Sequence, residues 1–388
     1  MVSLMLISAC KPPVSLPTVS TYAVVSITRN AAVSGGSVTN AGNGTISAYG
    51  VCYSSNSNPP TLFNSVTVDG SGTNSFISNL TGLNDSTVYY ACAYATNESG
   101  TSYGVTIRFT TLGFSIREAS STTGNLFGIC FADANHGWAV GNGNIIATSN
   151  GGTTWTQQTN PVSTQLNDVC FTNINNGYAV GYNGTVLTTT NGYTWTPQSP
   201  TANNLFGVCS TSAAVYAVGS NGTILTTPIS SSSWTTQTSN TTNQLNDICF
   251  TDANHGWVVG SGGTILTTTI SGTWSLQTVT TNNLYGVYFF NSTKGWAVGD
   301  NGTILTTNDG NTWTAQTSGT TNSLRSIYFI NSTNGYAVGS EGIILTTNDG
   351  GTTWVAQTNG TTKDLHSLGY TSQTVYAAGN GGAILQLQ

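Results

Sequence analysis

The chain is short of charge. Of 388 residues, Asp, Glu, Lys and Arg make up 5%, with 7 cations against 13 acids and a net charge of −6. A soluble domain ordinarily carries about a quarter of its residues as charges. So few cations cannot build the basic stripe that nucleic acid requires, which excludes that partner. The Glu/Lys pairs that stabilise surface helices and coiled coils are missing. Beyond the N-terminus, no run reaches the ~18 apolar residues of a membrane span. Charge-driven disorder is also excluded, because aromatics reach 10% and hydrophobic residues 38%. What is abundant is Gly, Thr, Ser and Asn, with 46 Gly, 9 Trp and 17 Tyr. That is the composition of many short strands joined by tight turns.

Residues 1–9 are mostly apolar and stop at Cys10. The run Ile7-Ser8-Ala9-Cys10 resembles a bacterial lipoprotein cleavage box, in which small residues precede a cysteine that becomes lipidated. The resemblance implies an exported chain, held at the cell envelope by acyl chains on Cys10 and otherwise secreted. Residues 11–20, with Pro12, Pro13 and Pro17, read as an extended linker.

Residues 21–111 alternate strand-like runs (22–28, 47–53, 65–68, 76–80, 87–95 and 103–110) with turn clusters, and predict a β-sandwich. Leu80-Thr81-Gly82-Leu83 followed by Thr87-Val88-Tyr89-Tyr90-Ala91-Cys92 resembles the tyrosine-corner signature of fibronectin type III-like domains. The resemblance implies that the Tyr89 hydroxyl bonds nearby backbone. Period-two alternation puts Ala91, Ala93 and Ala95 inward and Cys92 outward. Cys52 then faces the same side as Cys92, and the resemblance implies neighbouring strands, so a disulfide between them or two free thiols are both open.

From residue 112 to 388 the chain repeats. A Leu opening a short apolar run recurs at Leu126, Leu166, Leu205, Leu245, Leu284, Leu324 and Leu365, at steps of 40, 39, 40, 39, 40 and 41 residues. Each unit continues with an Ala-Val-Gly-like segment, a Gly turn and a β-branched run. Six units close on a Trp: Trp155, Trp195, Trp234, Trp274, Trp313 and Trp354. Four strands in about 40 residues is the size of a β-propeller blade. The fold expected is all-β: an N-terminal β-sandwich, then a seven-bladed β-propeller. The last unit ends after its third strand, so 114–119 is expected to complete it and latch the ring, with Phe114 or Ile116 in the Trp position. A 79-residue period is also present, since Leu166-Asn167-Asp168-Val169-Cys170 matches Leu245-Asn246-Asp247-Ile248-Cys249.

Thr347-Asn348-Asp349-Gly350-Gly351-Thr352-Thr353-Trp354 matches the Asp-box (BNR-type) hairpin, and Thr148 to Trp155 matches it with Asn150 for Asp. With the Ala-Val-Gly-x-x-Gly-x-Ile-Leu segment, these repeats resemble the propeller of photosystem II stability/assembly factors and their non-photosynthetic relatives. The resemblance implies the fold. That family's photosynthetic members engage a membrane-protein precursor through a basic patch. Here the propeller holds only Arg117, Lys294, Arg325 and Lys363, scattered, so a photosynthetic role is not expected.

Catalytic chemistry finds little footing. A sialidase needs an arginine triad, which two propeller arginines cannot make. Other glycosidases need two carboxylates about 5 to 9.5 Å apart, and Asp168 and Asp247 lie two blades apart. They are expected to cap local turns or meet channel water. His136 and His255 sit in matching Asp-Ala-Asn-His-Gly turns with one His each, so no metal or other cofactor is expected. Cys130, Cys170, Cys209 and Cys249 repeat at one inner-strand position and read as small packers. The closing Trp residues read as packing anchors. The binding candidate is the face formed by blade-to-blade loops and second-turn residues: Tyr182, Asp300, Glu341, Asn167, Asn246, Arg325 and His366. Such a polar face suits a protein or glycan read by hydrogen bonds. The expectation is a non-catalytic binding or scaffolding protein of the cell envelope, with a glycan-acting hydrolase and a structural or adhesive surface protein as alternatives.

Overall fold

The computed structural model describes residues 12–113, 115–118 (backbone), 122–229, 231–269, 272–357, 360–371 and 374–387. Cys10, Phe114 and Ala119 lie outside them. Two compact units emerge, one ending at Gly113 and one spanning Phe114–Leu387.

The first unit holds two antiparallel sheets. One is ordered Thr18–Thr21, Ala31–Asn40, Ser75–Thr81; the other is ordered Ser65–Val66, Ala48–Ser54, Val88–Asn97, Gly100–Tyr103, with Ile107–Thr110 also on Val88–Asn97. Between them Tyr49, Val51, Phe76, Leu80, Tyr89, Ala91, Ala93, Ala95 and Phe109 form the core. The backbone N–H of Asn84 donates to the Tyr89 hydroxyl at 3.0 Å.

The expected linker is corrected here. Thr18–Thr21 pairs with Ala31–Asn40, and Ser15 N–H donates to Gly42 O, so this stretch is part of the sheet. The ten-residue strand Ala31–Asn40 replaces an expected turn cluster. Its Gly35 and Gly36 are not turn residues. A Cβ at Gly35 would lie 2.1 Å from Phe76 O, so glycine serves close packing. Cys52 and Cys92 are directly opposed in register but are free thiols. Their face is covered rather than open: both are 0% exposed, and the Cys92 thiol donates to Pro60 O. Burial pushes their thiols up, Cys52 to about 12 and Cys92 to about 11.

The second unit is a succession of four-stranded antiparallel sheets like those of a propeller. In the first, Leu126–Phe131, Gly137–Gly141, Ile145–Thr148 and Thr156–Gln157 lie side by side in chain order. The next five repeat this from leading strands Leu166–Phe171, Leu205–Ser210, Leu245–Phe250, Leu284–Phe289 and Leu324–Phe329. In the seventh, Leu365–Tyr370, Val375–Gly379 and Ala383–Leu387 are joined by Ser115–Glu118, drawn from the start of the unit. There Ile116 pairs with Leu385. The fifth sheet pairs Leu305 with Ala315, two residues past Trp313. Ile116 therefore matches Ala315 and not the Trp.

Aromatic residues join each sheet to the next. The second-strand Trp138, Trp257 and Trp296 stack at 3.5 Å on Phe171, Phe289 and Phe329 of the following sheets. Their indole N–H groups donate to carbonyls of the following hairpins: Gly192, Gly310 and Gly350. Tyr376 of the last sheet stacks on Phe131 of the first at 4.9 Å and donates its hydroxyl to Gly151 O.

A second clasp runs along the outer strands. Trp195, Trp234, Trp274 and Trp354 donate from Nε1 to Gln158, Gln198, Gln237 and Gln316 of the preceding sheet. Each of these glutamines stands three residues after its own sheet's Trp. The six closing Trp residues are thus packing anchors, four of them with a polar fastening; Trp155 and Trp313 have no hydrogen-bond partner for Nε1 among the described residues, and all but Trp234 are buried.

Candidate binding face

The leading strands of successive sheets pack on one another, and that of the seventh packs on that of the first. In each, pairing with the second strand shifts register just after the opening Leu. A bulge frees the residue after the Leu from the ladder and re-aims it. Those residues are Phe127, Asn167, Phe206, Asn246, Tyr285, Arg325 and His366. They form one tier at the same end of the leading strands. Four of them belong to the expected site. Phe127, Phe206 and Tyr285 were missed, although the step from one Leu to the next marks their positions.

Asn167 and Asn246 are spoken for. Their amide nitrogens donate to Leu205 O at 2.7 Å and Leu284 O at 2.6 Å of the following sheet. Their amide oxygens accept from Gln165 and Gln244. They act as struts between sheets. Tyr182, on a short 3-10 turn, meets Phe206 edge to face at 6.2 Å. Glu341 holds a left-handed turn position, φ 57, and its N–H donates to the Asp364 carboxylate at 2.8 Å.

The structure gathers Asp300, Tyr285 and Arg325. The Asp300 carboxylate accepts from the Tyr285 hydroxyl at 3.1 Å, the Asn283 amide at 3.0 Å and the Ser323 hydroxyl at 2.9 Å. The Arg325 guanidinium lies over the Tyr285 ring at 4.3 Å. Arg325 makes no ion pair among the described residues, and its Nε is buried without a hydrogen-bond partner there. His366 packs on Phe127 at 4.9 Å and bonds Asn380 through Nε2 at 2.8 Å. Burial, with help from the Arg325 charge, lowers its pKa.

One residue further along lies a second tier: Gly128, Asp168, Gly207, Asp247, Gly286, Ser326 and Ser367. Asp168 accepts from its own neighbour, Val169 N–H, at 2.8 Å and from Val208 N–H of the following sheet at 2.9 Å. Asp247 does the same with Ile248 and Val287. Ser326 and Ser367 accept from Leu368 and Ile129 of their following sheets. The expected turn-capping role of the two acids is therefore corrected: they bridge sheets. Gly128 is needed beside Asp168, because a Cβ there would sit 2.7 Å from the Asp168 Cα. This Gly/Asp alternation accounts for the 79-residue period. Burial raises Asp168 to about 8, with Asp247 adding to the shift, and Asp247 to about 7. Both oxygens of each carboxylate are thus taken up by backbone N–H groups.

The remaining candidates are local. His136 and His255 bond Asp133 and Asp252 at 2.9 and 2.7 Å in exposed turns. Cys130, Cys170, Cys209 and Cys249 are half-buried, with pKa values raised by burial. Among the described residues, no three His, Cys, Asp or Glu groups are placed to hold a metal ion.

Residues 226–314, 267–355 and 308–387 each match the family described as Photosynthesis system II assembly factor YCF48. The solved structure described as YCF48 bound to D1 peptide is 19% identical, with a TM-score of 0.62 over 72% of this chain and 96% of that one. YCF48 from Cyanidioschyzon merolae is 19% identical, with a TM-score of 0.61 over 71% of this chain and 99% of that one. The WD40 β-propeller domain of Doa1 is 12% identical, with a TM-score of 0.60 over 71% of this chain and 97% of that one. No curated protein sequence matches the chain. The likeness to these solved structures is one of fold, and the repeats of residues 226–387 match the photosynthesis system II assembly factor family.

Proposed function

We propose that this is a non-catalytic binding or scaffolding protein of the cell envelope. The second unit is a seven-bladed propeller closed by Ser115–Glu118, the first is a fibronectin type III-like spacer, and Cys10 carries the lipid anchor. The tier that ends the leading strands binds an extended protein segment, with an acidic group of that segment on Arg325. The observation that carries this reading is Arg325, which makes no ion pair among the described residues and is held over Tyr285 with Asp300 already occupied by three neutral donors. A fixed guanidinium without a carboxylate partner is suited to receive one. The peptide bound to YCF48 in its solved structure supports a peptide as the class of partner. The envelope location rests on the lipoprotein-like run at Cys10. The test is capture from envelope fractions by the full chain and by Arg325→Ala. At least a fivefold loss of captured protein in the variant is expected; equal capture contradicts the reading.

A further inference from the structure

Along the outer strands, the seam between the fourth and fifth sheets differs from its neighbours. Gln277 stands three residues after Trp274, where Gln158, Gln198, Gln237 and Gln316 each accept the next sheet's Trp N–H. Gln277 makes no such bond: Trp313 is 8% exposed, and its Nε1 is buried with no partner among the described residues. At the same seam lies a groove of about 860 Å³, lined by Trp313, Leu305, Ala315, Val279, Thr280 and Asn301 among others. That volume is in the range of small-molecule sites.

We propose that this groove is a binding site for a neutral saccharide. Its lining contains no Asp, Glu, Lys, Arg or His, which disfavours a charged ligand. Hydroxyl and amide side chains alternate with apolar surface from Val279, Leu305 and Ala315. A sugar ring presents the same mixture, hydroxyls at its rim and C–H groups on its faces. Trp313 lines the groove and its buried indole N–H has no acceptor among the described residues, and a buried donor left unmet is a standing cost. Gln277 is not fastened at this seam, so it gives way and a saccharide oxygen takes the place that glutamine fills elsewhere. The site lies apart from the Arg325 tier and is independent of the reading given for it.

The sixth sheet supplies a matched control. Ala356 pairs with Leu345 as Ala315 pairs with Leu305, and the adjoining Trp354 is already bonded by Gln316. The full chain is titrated with maltohexaose, cellohexaose and chitohexaose, followed by calorimetry and tryptophan fluorescence. Saturable binding of at least one is expected. Ala315→Trp, an exposed position that fills the groove, weakens it more than tenfold; Ala356→Trp leaves it unchanged. Trp313→Phe, which keeps the packing but removes the donor, weakens it about fivefold. Thermal melts of all three variants establish folding. No binding of any of the three at 10 mM (roughly the weakest affinity of use) overturns the proposal. So does binding that Ala315→Trp and Ala356→Trp reduce equally. Arg325→Ala separates the two sites, since loss of saccharide binding in that variant would place the sugar on the other tier and overturn this one.

Discussion

Asp168 and Asp247 show what a single residue contributes here. Each carboxyl fastens two sheets by accepting one N–H from its own strand and one from the next. Burial holds both well above the ordinary carboxylate range, at about 8 and about 7. Because the folded pKa is raised, the folded state binds more protons than the unfolded state between pH ~4 and these values. Stability is then fullest below pH ~4 on this account and falls as pH rises through 7 to 8, by up to about 1.4 kcal/mol per unit for each group. Melting temperature measured from pH 5 to 9 is expected to decline, and Asp168→Asn with Asp247→Asn flattens the decline while lowering the plateau. The 79-residue period was legible in the sequence, but its cause was not. The second N–H that each acid binds lies 40 residues further on, and no local pattern advertises it. The tier that includes Arg325 was half legible for a related reason. The residue after each Leu can be counted off, but only the bulge explains why it leaves the ladder.

Among elements, the outer strands carry the most regular signal that spacing alone left unread. The Trp-x-x-Gln spacing recurs in six repeats, yet the glutamine looks like any polar strand residue until the next sheet is placed beside it. Gln316→Ala leaves the Trp354 N–H unmet and is expected to cost about 1–3 kcal/mol in urea unfolding. Gln277→Ala, which removes no bond to a Trp, is expected to cost little. Equal costs would show that these glutamines act only by packing. In the first unit, the strand Ala31–Asn40 was hidden by its own Gly35 and Gly36, which read as a turn. Gly35→Ala drives a methyl toward Phe76 O and is expected to destabilise this unit by about 1–3 kcal/mol. Where strands carried β-branched and aromatic residues, as in Ala48–Ser54 and Val88–Asn97, period-two alternation located them and their inward faces correctly.

The organisation of the whole second unit depends on how its last repeat ends. Hydrophobic spacing pointed to sheets of four strands and to a last repeat lacking its fourth. The strand Ser115–Glu118 fills that place, antiparallel to Ala383–Leu387. Its short sequence carries no Trp and no glycine turn to mark it; the only clue was the arithmetic of repeats. This pairing covers one free edge of each of the two strands and couples the start of the unit to its end. The direct measurement uses the full chain with Ile116→Cys and Leu385→Cys, oxidised in dilute solution and mapped by mass spectrometry. A single intrachain disulfide between positions 116 and 385, accompanied by a higher melting temperature, is predicted. Bridges formed only between chains, or none between these two positions, would contradict closure by the leading strand.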